Sequence, residues 1–263
     1  MVMNHLTSAS YWIRAAASAQ VDLDQVASQN YDLPVDIHRE VRLEQVEFLR
    51  QILVRRAAPA RVLDLGCGPG TWALELAPLV DFWLGIDVAP AFVTHAQNEA
   101  RARGLHHLQF RAGDFLESWD ERSFDLIVLG GTLGYLSHEQ MVSLLERVRE
   151  QLAPGGIVYV RVSTIPGIYP RLQLKGRYPI CYRKETEYLS VFRQLGFRVE
   201  VSRDYAFTRG LLATAYTFLA RRLGRTGMTA YRWAGLCAPL SFGLARLLLD
   251  LTPLPQSSLF ILR

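Results

Sequence analysis

The chain is poor in cysteine, in lysine and in long apolar runs, and each shortage closes off a class of protein. Its three cysteines, Cys67, Cys181 and Cys237, lie far apart among 263 residues. None has metal-ligand spacing, so neither a disulfide framework nor a zinc site is expected. The only lysines are Lys175 and Lys184, so nearly all positive charge is arginine. The longest charge-free run in the apolar tail, Trp233 to Ala245, is thirteen residues. That falls short of the roughly 20 needed to span a bilayer. The opening "MVMNHLTSAS" lacks a basic-then-apolar leader pattern, and the expected location is cytoplasmic. Internal repeats and low-complexity tracts are also missing. What remains is half apolar and 21% charged, which suits a globular chain with room for one large domain and an insertion.

The net charge of +4 is unevenly spread. Residues 203–263 hold eight Arg and two Asp, so the rest of the chain is slightly acidic. Basicity marks one local surface rather than the whole protein.

Residues 11–58 read as helical, with Val41, Val46, Leu49 and Leu53 near helical spacing. From there short apolar runs alternate with helical stretches. "RVLDLG" (61–66), "FWLGID" (82–87), "LQFRAG" (108–113), "FDLIVLG" (124–130) and "GIVYVRV" (156–162) read as buried strands. Ser137 with Gln140 predicts a capping box for the helix before the last of these, and Gly155 after Pro154 is expected to close that helix. Five strands alternating with helices imply a parallel sheet covered on both faces. Later, "KETEYLSVFRQLG" predicts a helix, and "FRVEVSRDYAF" and "SSLFILR" two strands.

The most informative stretch is "VLDLGCGPG" (62–70), a strand running into Gly66, Gly68 and Gly70 before a helix. Such glycines let a ligand approach the backbone beside free helix N–H groups. A dinucleotide fingerprint would place a third glycine at position 71, which is Thr71. Asp64 precedes the first glycine by two residues. Asp87 ends the second strand, where a carboxylate can accept from both ribose hydroxyls, and Asp114 follows the third. Taken singly, Asp114 also suits a turn and Asp87 a helix cap. Together the three acids fall at the carboxyl edge of one sheet.

"VLDLGCGPG", "GIDVAP", "AGDFLE", "FDLIVLGGTLGYL" and "LAPGGIVYVRV" resemble, in order and spacing, the successive motifs of class I S-adenosylmethionine-dependent methyltransferases. The resemblance covers residues 60–163. It implies an α/β, Rossmann-like, doubly wound sheet of seven strands ordered 3-2-1-4-5-7-6, the last antiparallel. It also implies S-adenosylmethionine as methyl donor. Asp64, Gly66, Gly68 and Gly70 would hold its methionine end, and Asp87 with Val88 the ribose. Asp114 would take the adenine amino group, with Phe115 against the ring. Gly130, in the edge running to Leu133, would lie near the sulfonium.

Methyl transfer from a sulfonium is an in-line displacement on an activated donor, so the protein chiefly supplies proximity and orientation. A base is needed only where the acceptor keeps its proton. Candidates for that role are His138, opening the helix after the fourth strand, and Tyr135 in the loop before it. His138 equally reads as a first-turn residue facing water. Relatives that methylate amide or adenine nitrogen carry an Asn/Asp-Pro-Pro-aromatic motif where this chain has "GGTLGY". That favours oxygen or carbon acceptors and leaves aliphatic nitrogen open. Tyr11, Trp12 and Tyr31 are candidate covering residues. The tyrosine- and arginine-bearing 169–185 stretch reads as an acceptor lid or as solvated charge. Cys67 reads as a small packing residue, and His106–His107 lack partners at ligand spacing.

The expected organisation is an N-terminal helical cap (1–58), a donor-binding core (59–208 with 256–263), and an apolar helical insertion (209–255) between strands six and seven. In the insertion Leu240, Leu244, Leu247, Leu248 and Leu251 share one face. Three uses compete for it: packing on the domain or a second subunit, a lid over a lipophilic acceptor, or an arginine-edged dock on anionic membrane. The functional expectation is a methyltransferase for a small, lipophilic molecule. Its rivals are a non-methylating reaction on the same scaffold, such as cyclisation, or a non-catalytic partner. A nucleic-acid substrate would want a basic strip with stacking aromatics beside the site, and here the charge gathers with leucines instead.

Overall fold

The computed structural model describes residues 5–18, 23–27, 35–117, 123–165, 172–173, 180–203 and 256–263. The expected insertion at 209–255, Tyr31, and most of the 169–185 stretch lie outside them.

Three helices lead the chain: α1 (His5–Ala17), α2 (Leu23–Ala27) and α3 (Val35–Val54). The alternating region follows as β1 (Ala60–Leu65), α4 (Thr71–Leu76), β2 (Val80–Asp87), α5 (Pro90–Ala102), β3 (Leu108–Ala112), β4 (Phe124–Gly130), α6 (His138–Glu150) and β5 (Leu152–Ile165). After it come two short strands, β6 (Leu172–Gln173) and β7 (Cys181–Lys184), then α7 (Glu185–Gln194), β8 (Val199–Arg203) and β9 (Gln256–Leu262).

The long strands run β3-β2-β1-β4-β5, all parallel. Then β9 lies antiparallel on β5, and β8 antiparallel on β9. With β8 and β9 counted as the sixth and seventh long strands, this is the expected 3-2-1-4-5-7-6 order. Strands buried on both faces account for the unbroken apolar runs in sequence. On one face Leu63, Ile127 and Val160 meet Met141 and Leu145 of α6 and Phe192 of α7. On the other, Val62, Trp83 and Val128 meet Leu49 and Leu53 of α3, Leu76 of α4 and Ala96 of α5.

Two local expectations are corrected. The capping box at Ser137 and Gln140 forms as predicted, with Gln140 N donating to Ser137 Oγ at 3.2 Å and Ser137 N to Gln140 Oε1 at 2.9 Å. But α6 ends at Glu150, ahead of Pro154 and Gly155. The carbonyl of Gln151 is taken by the amide of Phe124 at 2.9 Å. Sheet pairing therefore begins at Leu152, and Pro154–Gly155 becomes an irregularity inside β5, where the register to β4 shifts.

The second correction concerns β6 and β7. Thr164 of β5 pairs with Gln256 of β9 on one side and Arg183 of β7 on the other. Hence β7 continues the sheet on the β4 side, beyond the point where β4 stops. Arg183 is buried, not solvated, and donates to the carbonyls of Leu133 at 3.1 Å and Leu136 at 2.5 Å. It clamps the 3-10 turn Leu133–Tyr135 that follows β4. Among the described residues, no helix is long and apolar enough to cross a membrane.

Candidate active site

A cavity of about 140 Å³ opens at the carboxyl ends of β1, β2, β4 and β5. Of the residues singled out from sequence, Gly66, Gly68, Asp87, Val88, Phe115 and Gly130 line it, and Tyr135 does too. The 64 positions that separate Gly66 from Gly130 are closed by parallel pairing of β1 with β4.

The turn after β1 is tied to β2, because the amides of Gly66 and Cys67 donate to the Ile86 carbonyl at 2.7 and 3.2 Å. Gly66 has φ +83°, and a Cβ there would lie 2.2 Å from Thr132 Cγ2. Only glycine fits that crossing of β1 and the β4 loop. At Gly68 a Cβ would meet nothing nearer than Ala27 at 3.7 Å, which leaves this backbone open to a ligand. Gly70 serves packing instead: a Cβ would strike Ala96 at 2.8 Å and Phe110 at 2.9 Å, and the residue does not line the cavity.

Asp87 is 8% exposed, and both its oxygens are engaged. Oδ2 accepts from the Gly68 amide at 2.8 Å and Oδ1 from the Ala89 amide at 2.9 Å. One carboxylate thus braces the glycine turn and caps the entry to α5. Burial raises its pKa, and the two amides pull it partly back. A carboxylate oxygen can take a second hydrogen bond, so both remain usable by ligand hydroxyls.

Asp64 sits one layer below, buried and outside the cavity wall. Burial first, and then the charge of Asp87, push its pKa up to about 8. The Trp83 indole beside it lowers the value without completing a hydrogen bond of normal geometry. At that value the protonated form of Asp64 prevails at neutral pH. Burial, followed by the charges of Asp87 and Asp64, also pushes the Cys67 thiol well up, which agrees with a packing role.

The remaining expectations divide. Asp114 is half-buried outside the cavity lining, and its Oδ1 accepts from the Leu116 amide at 2.8 Å. His138 is exposed on the first turn of α6 and does not reach the cavity. Tyr135 is buried with its ring edge-to-face on Trp12, centroids 5.8 Å apart. Trp12 also tilts against Phe92 of α5 at 6.4 Å, so α1 lies over the cavity.

Sequence reasoning passed over Phe92 and Arg161 as lining residues. For Phe92 no sequence signal sets it apart from other helix residues. For Arg161 a signal was present, a lone charge inside the apolar strand "GIVYVRV". Thr132, also lining, is 8% exposed, and its hydroxyl has no hydrogen-bond partner.

Residues 62–156 match the family model described as a methyltransferase domain. Among curated proteins, the chain is 38% identical over 111 residues to the trans-aconitate 2-methyltransferase of Methylobacterium nodulans, covering 40% of this chain and 39% of that protein. The chain thus spans about two-fifths of the length of that relative. Among solved structures it superposes on a SAM-dependent methyltransferase from Thiobacillus denitrificans in complex with S-adenosyl-L-homocysteine, with TM-score 0.51, 17% identity and coverage of 100% and 99%. It also superposes on the [4+2]-cyclase SpnF, with TM-score 0.55, 20% identity and coverage of 92% and 97%. At these identities the two structures establish the shared fold. With a glycine turn, a buried strand-end carboxylate and a cavity converging where that match falls, residues 62–156 form a methyltransferase domain, set in a fold shared with S-adenosylmethionine-dependent methyltransferases.

Proposed function

We propose that the protein transfers a methyl group from S-adenosylmethionine to a small, largely lipophilic molecule, with oxygen or carbon acceptors favoured and aliphatic nitrogen open. The observation that carries the reading is Asp87, a buried carboxylate at the end of β2 that holds the open Gly68 backbone at one cavity wall. Bound there, the donor would supply a methyl on a sulfonium, already activated for in-line displacement. Asp87 suits the two ribose hydroxyls, because each of its oxygens keeps accepting capacity. Asp64, behind the wall, would favour the donor's cationic end through its charge rather than by contact, since a nearby positive charge favours the carboxylate that burial disfavours. Phe115 offers an apolar wall for the adenine, and Asp114 lies two residues past β3 at the rim.

For the acceptor, the support is the apolar character of the wall formed by Trp12, Phe92 and Tyr135. The chain's part in the transfer is to exclude water and align the two reactants. Tyr135, rather than exposed His138, is the side chain placed to touch an acceptor. The N-terminal helices would act as the cap over the site, with 209–255 as a lid, a contact in a homodimer or a peripheral membrane dock. Nucleic acid is not part of this reading, and the proposed setting is cytoplasmic.

The test is calorimetry with S-adenosylhomocysteine, paired with mass analysis of products from labelled donor. Saturable binding with Asp87-dependent affinity is expected, and no binding by folded protein refutes the reading. The second reading, donor-dependent cyclisation or rearrangement, draws on the fold shared with the [4+2]-cyclase SpnF. Products lacking the added methyl mass would favour it.

A further inference from the structure

Resting on that reading of the cavity, we propose that Arg161 and Thr132 form an anion-recognising end of the acceptor space, and that the acceptor carries a carboxylate. Arg161 lies in β5, is 5% exposed, and lines the cavity. Its neighbours across the two ladders are Gly130 and Leu259, neither of which can balance its charge. A buried guanidinium is costly unless anionic or carbonyl oxygen meets it. Arg161 does have an interaction within the chain. A guanidinium has five N–H donors in a planar fork, however, and the buried Nη2 of Arg161 has no hydrogen-bond partner, which leaves that nitrogen to meet a carboxylate.

Thr132 supplies the second, independent observation. It lines the same cavity two residues beyond Gly130, the ladder partner of Arg161. Its hydroxyl is one of seven buried side-chain atoms without a hydrogen-bond partner among the described residues, and it faces this cavity. An orphaned buried hydroxyl costs free energy that a bound oxygen would recover.

Sheet order places this pair on the acceptor side. Of the donor-type residues, Gly66 directly follows β1 and Asp87 ends β2. Arg161 is on β5, two strands from β1 in the other direction, with β4 between. At the normal strand spacing that is roughly 10 Å. The Gly130–Thr132 edge lies between donor and arginine. An acceptor with an apolar body against Trp12 and Phe92 and its carboxylate on Arg161 fits both characters of the wall. Such a molecule needs no general base at the anion itself, since a carboxylate is already ionised at neutral pH.

Two matched probes, octanoate and octan-1-ol, test this by calorimetry on S-adenosylhomocysteine-loaded protein. The wild type should bind octanoate roughly tenfold or more tightly than octanol, the size of a charge-assisted hydrogen bond. Arg161→Met should abolish that preference while changing S-adenosylhomocysteine affinity much less. Thr132→Val, nearly isosteric, should weaken octanoate roughly fivefold and leave octanol unchanged. That variant carries the test if Arg161→Met does not fold. Equal affinity for the two probes, or no saturable octanoate binding, overturns the proposal. So does a Thr132→Val protein that binds octanoate like wild type. If Arg161→Met weakens S-adenosylhomocysteine as much as octanoate, the arginine serves the donor's own carboxylate and the proposal falls. Failure of the donor reading looks different: the folded wild type binds no S-adenosylhomocysteine, while an Arg161-dependent preference for octanoate would keep the anion site.

Discussion

Gly66→Ala would meet two separable penalties. At φ +83° an L-residue costs about 1–2 kcal/mol. The new Cβ would also sit 2.2 Å from Thr132 Cγ2, well inside contact distance. Forcing a methyl into a packed site of this kind costs about 1–3 kcal/mol. The expected loss is therefore about 2–5 kcal/mol, a large share of a typical domain's stability. Thr132→Ser removes the opposing methyl and leaves the backbone as it was. In the double variant the steric part should vanish and the conformational part, about 1–2 kcal/mol, should remain. Urea unfolding of wild type, both single variants and the double variant measures this as a coupling of about 1–3 kcal/mol. Strict additivity, or a Gly66→Ala protein within about 0.5 kcal/mol of wild type, would refute the argument that this crossing demands glycine. The same turn carries the open Gly68 backbone, so Gly66→Ala should also weaken S-adenosylhomocysteine in calorimetry.

Asp87→Ala removes a carboxylate that would serve two ribose hydroxyls and now braces Gly68 and Ala89; donor affinity should fall well beyond tenfold, at about 1.5–3 kcal/mol for each charged hydrogen bond. Near-native affinity in calorimetry would break the assignment. Asp64, raised to about 8 in the fold from an ordinary carboxylate value, prefers its proton when buried. Its contribution to stability is complete in acid and is lost as pH rises towards and through about 8, because the unfolded chain ionises first. Thermal unfolding should therefore show wild type weakening over that window and Asp64→Asn weakening less. Parallel pH profiles for the two proteins would contradict this. His138→Ala, at an exposed position away from the cavity, should leave donor affinity and donor turnover essentially unchanged. A large loss of turnover with intact donor binding would restore it as a base.

Much of the core was legible from sequence because each strand's burial on both faces writes an unbroken apolar run, and each turn between them needs glycine, proline or a cap. "FDLIVLG" was read at its observed bounds, Phe124–Gly130, and the Ser137–Gln140 box fell where expected. The glycine turn and the acids at strand ends were equally plain, since they recur at fixed offsets from those runs. Local signals misled where a distant partner intervened. "LAPGG" looks like a helix stop, yet the Phe124 amide takes the Gln151 carbonyl and the sheet begins at Leu152, so the helix ends earlier. Arg183 looks solvated in a polar stretch, but two carbonyls of the turn after β4 bury it.

By itself, then, the amino-acid order determined the alternation of strands and helices, the glycine turn and the set of acids offered to a donor. Those follow from short-range spacing. The tertiary structure decided how that set divides. Pairing of β1 with β2 and β4 brings Gly68, Asp87 and Thr132 to one cavity, while packing draws Gly70 under α5 and Asp64 behind the wall. Pairing of β4 with β5 sets Arg161 beside Gly130, more than thirty residues away in the chain. No local pattern encodes that neighbourhood, because it arises only when the ladder closes.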